Sequence, residues 1–295
     1  MKIHRSAGGF FLYRIGLLLI FSIKMMKSKF GISLSGGGAR GIAHIGVLAA
    51  LNKYGIDPDV ISGTSSGAVI GVLYAAGHDP STILELMKMK KLRRIISWAF
   101  PSDGLLDLDK VEAVLREYIP EDHFSALKKK FYCGVTNLNT GRYELISTGK
   151  LIPYILASAS IPIVFEPKEI DGNTYVDGGL LNNLPVEPLV EEADTIIGVN
   201  VNHNEEVKEI KGMRNVAERC FRLAIGQNVR NNFELCDFII EPPELRKINT
   251  FDFAKAEEIY QIGFDETESR ILEFFDLLNL EKVLTEKKKR LVKNI

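Results

Sequence analysis

Short unbroken apolar runs alternate along this chain with longer segments of helical period, and that alternation sets the expected architecture. Residues 30–34 and 60–62 read as strands buried on both faces; each passes through a glycine-containing turn into a helix, the first at 43–54 and the second ending near Ala76-Gly77. In the second helix Gly67, Gly71 and Ala75 recur every four residues while Val69, Ile70, Val72 and Leu73 fill the other faces, so it should lie close against a sheet. Two such strand-helix units in succession imply a parallel sheet with helices packed on it. Helices are expected to open at Asp79-Pro80-Ser81 and at Leu108-Asp109, followed by strands at 131–138 and 142–147 around Asn139-Thr140-Gly141. A helix at 152–159 is stopped by Pro162, strands at 164–169 and 174–176 flank Asp171-Gly172-Asn173, and a short helix runs from Asn182-Asn183-Leu184-Pro185-Val186 to Glu192. A buried strand at 195–201 follows, then a helical stretch at 213–233, an edge strand at 238–240 closed by Pro242-Pro243, and one or two helices at 254–280.

Composition narrows the classes. The 295 residues carry no internal repeat and no low-complexity linker, which favours one domain from residue 30 to 295. A net charge of -1 with 25% charged residues gives no bulk basicity for nucleic acid. Cys133, Cys220 and Cys236 are odd in number and far apart, which suggests neither a disulfide framework nor a zinc site; Cys133 and Cys236 read as buried thiols in a reducing compartment. Residues 1–29 stand apart. Their apolar segment, 10–23, contains Arg14 and falls short of the ~20 residues that span a bilayer. It reads as upstream sequence with the true start at Met25 or Met26, against an anchor or a membrane-surface segment. The apolar region 92–106 reads as core packing ahead of a lid or lipid contact. The basic run 287–290 reads as a solvated helix end.

Two turns carry candidate chemistry. Gly63-Thr64-Ser65-Ser66-Gly67 sits between a strand and a helix, the context of a nucleophile elbow with Ser65 at its apex. The first strand runs into Ser35-Gly36-Gly37-Gly38-Ala39-Arg40-Gly41, where bare backbone amides at a helix start can hold a phosphate or an oxyanion. That loop also satisfies G-x-G-x-x-G, with Asp57 or Asp59 as nominal ribose ligand, so a non-hydrolytic nucleotide- or phosphate-binding protein is the rival reading. A serine nucleophile needs a base. His44, His78, His123, His203 or a carboxylate are available; Ser65, Asp177 and His203 fall in hydrolase order, while a Ser-Asp dyad would lean harder on the oxyanion loop. Taken alone, Asp177-Gly178-Gly179 is simply a turn.

Ser35-Gly36-Gly37-Gly38-Ala39-Arg40-Gly41, Gly63-Thr64-Ser65-Ser66-Gly67, Ala157-Ser158-Ala159-Ser160-Ile161-Pro162 and Asp177-Gly178-Gly179, in that order, resemble the four signatures of patatin-like phospholipases. The resemblance covers residues 30–201 and leaves the C-terminal third unplaced. It implies a three-layer α/β sandwich with a mainly parallel central sheet, and an acyl-ester hydrolase using neither metal nor cofactor. Ser65 would be the nucleophile and Asp177 its base. Gly36, Gly37 and Gly38 would form the oxyanion hole, and Arg40 would shape that loop or meet an anionic head group. The implied partner is a phospholipid, lysophospholipid or other acyl ester. The expected location is cytoplasmic, with peripheral membrane contact through residues 10–23. The N-terminal extension is the one departure from the family pattern.

Overall fold

The computed structural model describes residues 28–89, 108–202, 210 and 212–278. The segments 10–23, 92–106 and 287–290 and the side chain of His203 lie outside those residues. Eight strands form one sheet: β1 Phe30–Leu34, β2 Val60–Thr64, β3 Lys130–Asn137, β4 Arg142–Ile146, β5 Lys168–Ile170, β6 Asn173–Asp177, β7 Thr195–Val199 and β8 Phe238–Ile240. Their order is β5-β6-β3-β2-β1-β7-β8, with β4 added on β3. The five strands β3, β2, β1, β7 and β8 run parallel, and β4, β5 and β6 are antiparallel additions. Every residue of β1, β2 and β7 is buried, as expected where helices cover both faces of a parallel sheet.

Side-chain alternation divides the core between those faces. Phe30, Ile32 and Leu34 of β1 join the larger cluster with helices α1 Ala43–Lys53, α2 Ser66–Ala75, α3 Pro80–Lys88, α4 Asp109–Tyr118, α5 Ile152–Ala159 and α7 Ala256–Ser269. On the other face Val60 and Ile196 pack with Leu184, Val186, Leu189 and Val229, the last carried by α6 Met213–Asn232. Helix, sheet and helix make the three-layer α/β architecture. The C-terminal third belongs to this body: Phe274 is fully buried, with its ring 6.3 Å from Phe30 and 5.1 Å from Phe238. Among the described residues no helix is long and apolar enough to cross a membrane.

Local chemistry explains several element ends. Asp79 accepts from the Thr82 N–H at 2.9 Å with Pro80 in the first turn, which fixes the start of α3. Asp171 and Gly172, with φ of 50° and 77°, form the two-residue turn between β5 and β6. Two expectations need correction. The helix expected up to Glu192 is a single 3-10 turn, Glu187–Leu189, because Pro185 and Pro188 lack the N–H donors a longer helix requires. The strand expected at 164–169 begins only at Lys168, after Pro167, which has no hydrogen to give a ladder.

Candidate active site

The register on β3 determines what meets what. Gly134 pairs with Thr64 on one side and Leu145 on the other, and the next residue, Val135, pairs with Asp177 and Glu144. With β4 occupying one edge of β3 from Cys133 to Asn137, β2 and β6 must share the opposite edge, running toward each other. Their last residues, Thr64 and Asp177, therefore meet end to end. The residue after Thr64 is Ser65.

Ser65 has φ 55° and ψ -126°, a conformation costing on the order of 1–3 kcal/mol for a residue with a Cβ. The elbow leaves no room beside it: a Cβ on Gly67 would lie 2.2 Å from the Leu34 carbonyl oxygen. The strained backbone is held from α5. Ser65 N–H donates to Ser158 Oγ at 2.9 Å, and Ser158 Oγ donates to the Gly134 carbonyl at 2.7 Å. Two residues on, the Ser160 carbonyl accepts the Asp177 N–H at 2.9 Å. The Ala-Ser-Ala-Ser-Ile-Pro motif thus fastens the backbones of both Ser65 and Asp177. The start of α5 is fixed in turn by Asp122, whose Oδ1 accepts the Leu151 and Ile152 amides at 3.0 and 2.7 Å.

Asp177 is 2% exposed. Burial raises its carboxyl from the usual 3.8 to about 7, against the opposing pull of hydrogen bonds from the Ser65 hydroxyl and from the Gly179 N–H. The Gly179 bond measures 2.7 Å. Among the described histidines, none is offered to Ser65. His44 is fully buried with Nε2 against the Ser35 carbonyl at 2.7 Å, and burial lowers its pKa to about 4; His78 Nε2 donates to the Tyr118 carbonyl; His123 Nδ1 accepts from Ser125.

The glycine loop follows β1, which pairs in parallel with β2, so it opens beside the elbow. Gly36 is so near that its Cβ, if it had one, would lie 2.8 Å from Ser65 Cβ. The three glycines differ. The Gly36 N–H is taken by Asn183, through Oδ1 at 3.1 Å and the carbonyl at 3.3 Å, whereas the Gly37 and Gly38 amides meet no acceptor among the described residues. Arg40 is buried, and its Nε donates to the Ile248 carbonyl at 2.8 Å, tying the loop to the C-terminal segment. Nothing in the sequence pattern singled out Asn183. The only clue was its place, six residues after Asp177 and just ahead of a proline that forbids a helix there.

An apolar pocket opens at Ser65 and Gly38. Ile42, Val69, Met87, Val111, Phe165 and Phe251 stand in its walls. A hydroxyl, a buried carboxyl, unpaired amides and an apolar slot suit attack on a carbonyl that carries a long hydrocarbon chain. Cys133 is buried, Cys236 half-buried and Cys220 exposed, and all three thiols are free.

Comparison with known proteins points to a family. A family described as patatin-like phospholipase matches residues 32–190. Lysophospholipase NTE1 of Coccidioides immitis is 31% identical over 306 aligned positions, covering 91% of this chain and 19% of that protein. An uncharacterised NTE family protein of Mycobacterium tuberculosis is 33% identical over 180 positions, covering 60% of this chain and 50% of that one. The chain thus spans about a fifth of the fungal relative and half of the mycobacterial one. Among solved structures, VipD from Legionella pneumophila is a distant likeness, with a TM-score of 0.45 and 17% identity over 86% of this chain and 67% of that chain. With more than half of its length matched and the four motifs gathered at one sheet edge, this chain belongs to the patatin-like phospholipase family.

Proposed function

We propose that the protein is a serine acyl hydrolase that cleaves fatty-acyl esters of phospholipids or lysophospholipids through a Ser65-Asp177 dyad. One observation carries the reading: the Ser65 hydroxyl meets a buried carboxyl at the mouth of an apolar pocket. An ordinary carboxylate is a weak base for a serine, but one lifted to about 7 reaches the range of imidazole, so no histidine is needed.

The acyl chain occupies the pocket and presents its carbonyl to Ser65. As Ser65 Oγ bonds to that carbon, its proton passes to Asp177, and the Gly37 and Gly38 amides receive the developing oxyanion while Gly36 anchors the loop. Collapse expels the alcohol, which takes the proton back from Asp177 and leaves an acyl-enzyme. Water then attacks, gives its proton to Asp177, and the fatty acid departs as Ser65 is reprotonated. Arg40, buried under the loop, shapes it without touching a head group. Substrates that sit in bilayers call for peripheral membrane contact.

The test is fatty-acid release from mixed-acyl phosphatidylcholine vesicles, from lysophosphatidylcholine and from a soluble short-chain ester, with Ser65→Ala alongside. Release by wild type and none by the variant is expected. Equal release by both would remove Ser65 from the chemistry. Activity on the soluble ester alone would remove the phospholipid claim and keep the mechanism.

A further inference from the structure

Gly37 can donate to an oxyanion only if its peptide plane is turned the right way, and glycine residues on both sides of that plane leave it free to flip. The plane joins the Gly36 carbonyl to the Gly37 N–H. The chain has no cis peptide among the described residues, so these two groups point in opposite directions. Whatever grips the Gly36 carbonyl therefore aims the Gly37 N–H.

Two asparagines grip it. Asn202 Nδ2 donates to the Gly36 carbonyl, and Asn183 Nδ2 reaches the same oxygen at 3.4 Å. A carbonyl oxygen only accepts, so the amide nitrogen must be the atom that faces it. The Asn202 backbone is itself held at both its N–H and its carbonyl. Its N–H donates to Asn200 Oδ1 at 3.2 Å, while Asn200 Nδ2 donates to the Asn202 carbonyl at 2.8 Å and to Glu241 Oε1 at 2.7 Å. Between them the Val201 N–H donates to Ser35 Oγ at 3.1 Å, which zips the segment after β7 to the start of the glycine loop. A hydrogen bond at the carbonyl also polarises the N–H of the same peptide, strengthening it as a donor.

We propose that Asn202 is a positioning residue for the oxyanion hole: it pins the Gly36 carbonyl and so holds the Gly37 N–H turned away from the asparagines, toward the side where Gly38 and Ser65 open to the pocket. Asn183 supports the same carbonyl and reaches the aspartate turn as well. Its N–H donates to Asn228 Oδ1 at 3.0 Å, and Asn228 Nδ2 donates to the Gly179 carbonyl at 3.1 Å. One amide chain from α6 thus spans the base and the anion donors.

The inference rests on the acyl hydrolase reading, and its test keeps the two apart. Steady-state hydrolysis of p-nitrophenyl butyrate is measured for wild type, Ser65→Ala, Asn202→Ala and Asn202→Asp, with unfolding midpoints for each. Asn202→Ala should lower kcat about 10-fold with KM within about twofold, a fraction of the ~10²- to 10³-fold cost of deleting an oxyanion donor outright. Asn202→Asp has the same shape but turns an acceptor on the carbonyl, so it should lose about 100-fold despite being the closer isostere. Wild-type kcat in Asn202→Ala, a loss confined to KM, or Asn202→Asp as active as Asn202→Ala would overturn the proposal while leaving the dyad standing. Should Asn202→Asp fail to fold, Asn202→Ala, altered at a half-exposed position, decides the question alone. Turnover surviving in Ser65→Ala would instead defeat the reading on which the proposal rests.

Discussion

Replacing Asp177 by asparagine should abolish turnover and, at the same time, stabilise the fold in a way that depends on pH. The buried carboxyl has its folded-state pKa raised from 3.8 to about 7. The unfolded chain therefore releases a proton that the folded chain retains, and stability falls as pH rises between those two values. Below 3.8 the wild type carries no penalty; above about 7 the penalty is full, on the order of 4 kcal/mol at ~1.36 kcal/mol per unit. Asparagine keeps an oxygen for the Gly179 N–H and never ionises, so its own contribution does not change with pH. Between pH 5 and pH 8.5, about two of the three units are crossed, and the stability advantage of Asp177→Asn should grow by roughly 3 kcal/mol. For a chain of this size that is on the order of 5 °C in Tm. Thermal unfolding of both proteins at the two pH values reads it directly. A Tm difference that stays constant from pH 5 to pH 8.5 would refute the raised carboxyl, and with it the claim that burial makes Asp177 a competent base.

The same carboxyl must be ionised to accept the Ser65 proton, so kcat/KM should rise about tenfold per pH unit on the acid side and level off near pH 7; a plateau already reached at pH 5 would contradict this. Ser65→Gly removes the Cβ from a residue at φ 55° and should be more stable than Ser65→Ala by about 1 kcal/mol, reversing the usual preference, as urea unfolding of the two inactive proteins would reveal. Ser158→Ala leaves the Ser65 N–H and the Gly134 carbonyl without their shared partner, so kcat should drop about 10-fold and stability by about 1–3 kcal/mol. A Ser158→Ala protein with wild-type kcat and stability would show that the elbow holds itself.

Much of the fold was legible because its strands declare themselves by unbroken apolar character and its turns by glycine and proline. The four motifs singled out Ser65, the glycine loop and Asp177 as candidates without the structure. What the sequence did not disclose was why they meet, since the contact depends on which residues of β3 pair with β2, β4 and β6, and the pairings with β2 and β6, between residues 70 and about 40 apart, leave no local mark. The polar supports were hidden for a related reason. Asn183, Asn202 and Asn228 act through single amide contacts to backbone atoms, with no periodicity to reveal them, and Asn183 fell in a stretch read as a helix start. The segment after β7 drew attention for His203 as a triad base, while the residue before it makes a side-chain contact with the glycine loop. The difference among Gly36, Gly37 and Gly38 was equally unreadable, because three identical residues differ only in what faces their amides.

The meeting of β2 and β6 along one edge of β3 has a consequence for how this protein can change in size. Ser65 and Asp177 are spaced by strand register and by the α5 clamp, and the lengths of the intervening connections do not enter. The exposed tips at Asn139-Thr140-Gly141 and Thr148-Gly149-Lys150 lie between these fixed points and carry no part of the clamp. Extra sequence spliced into the second tip would leave the dyad where it is. The fold therefore behaves as a chassis, open to enlargement at that tip while the chemistry stays in place.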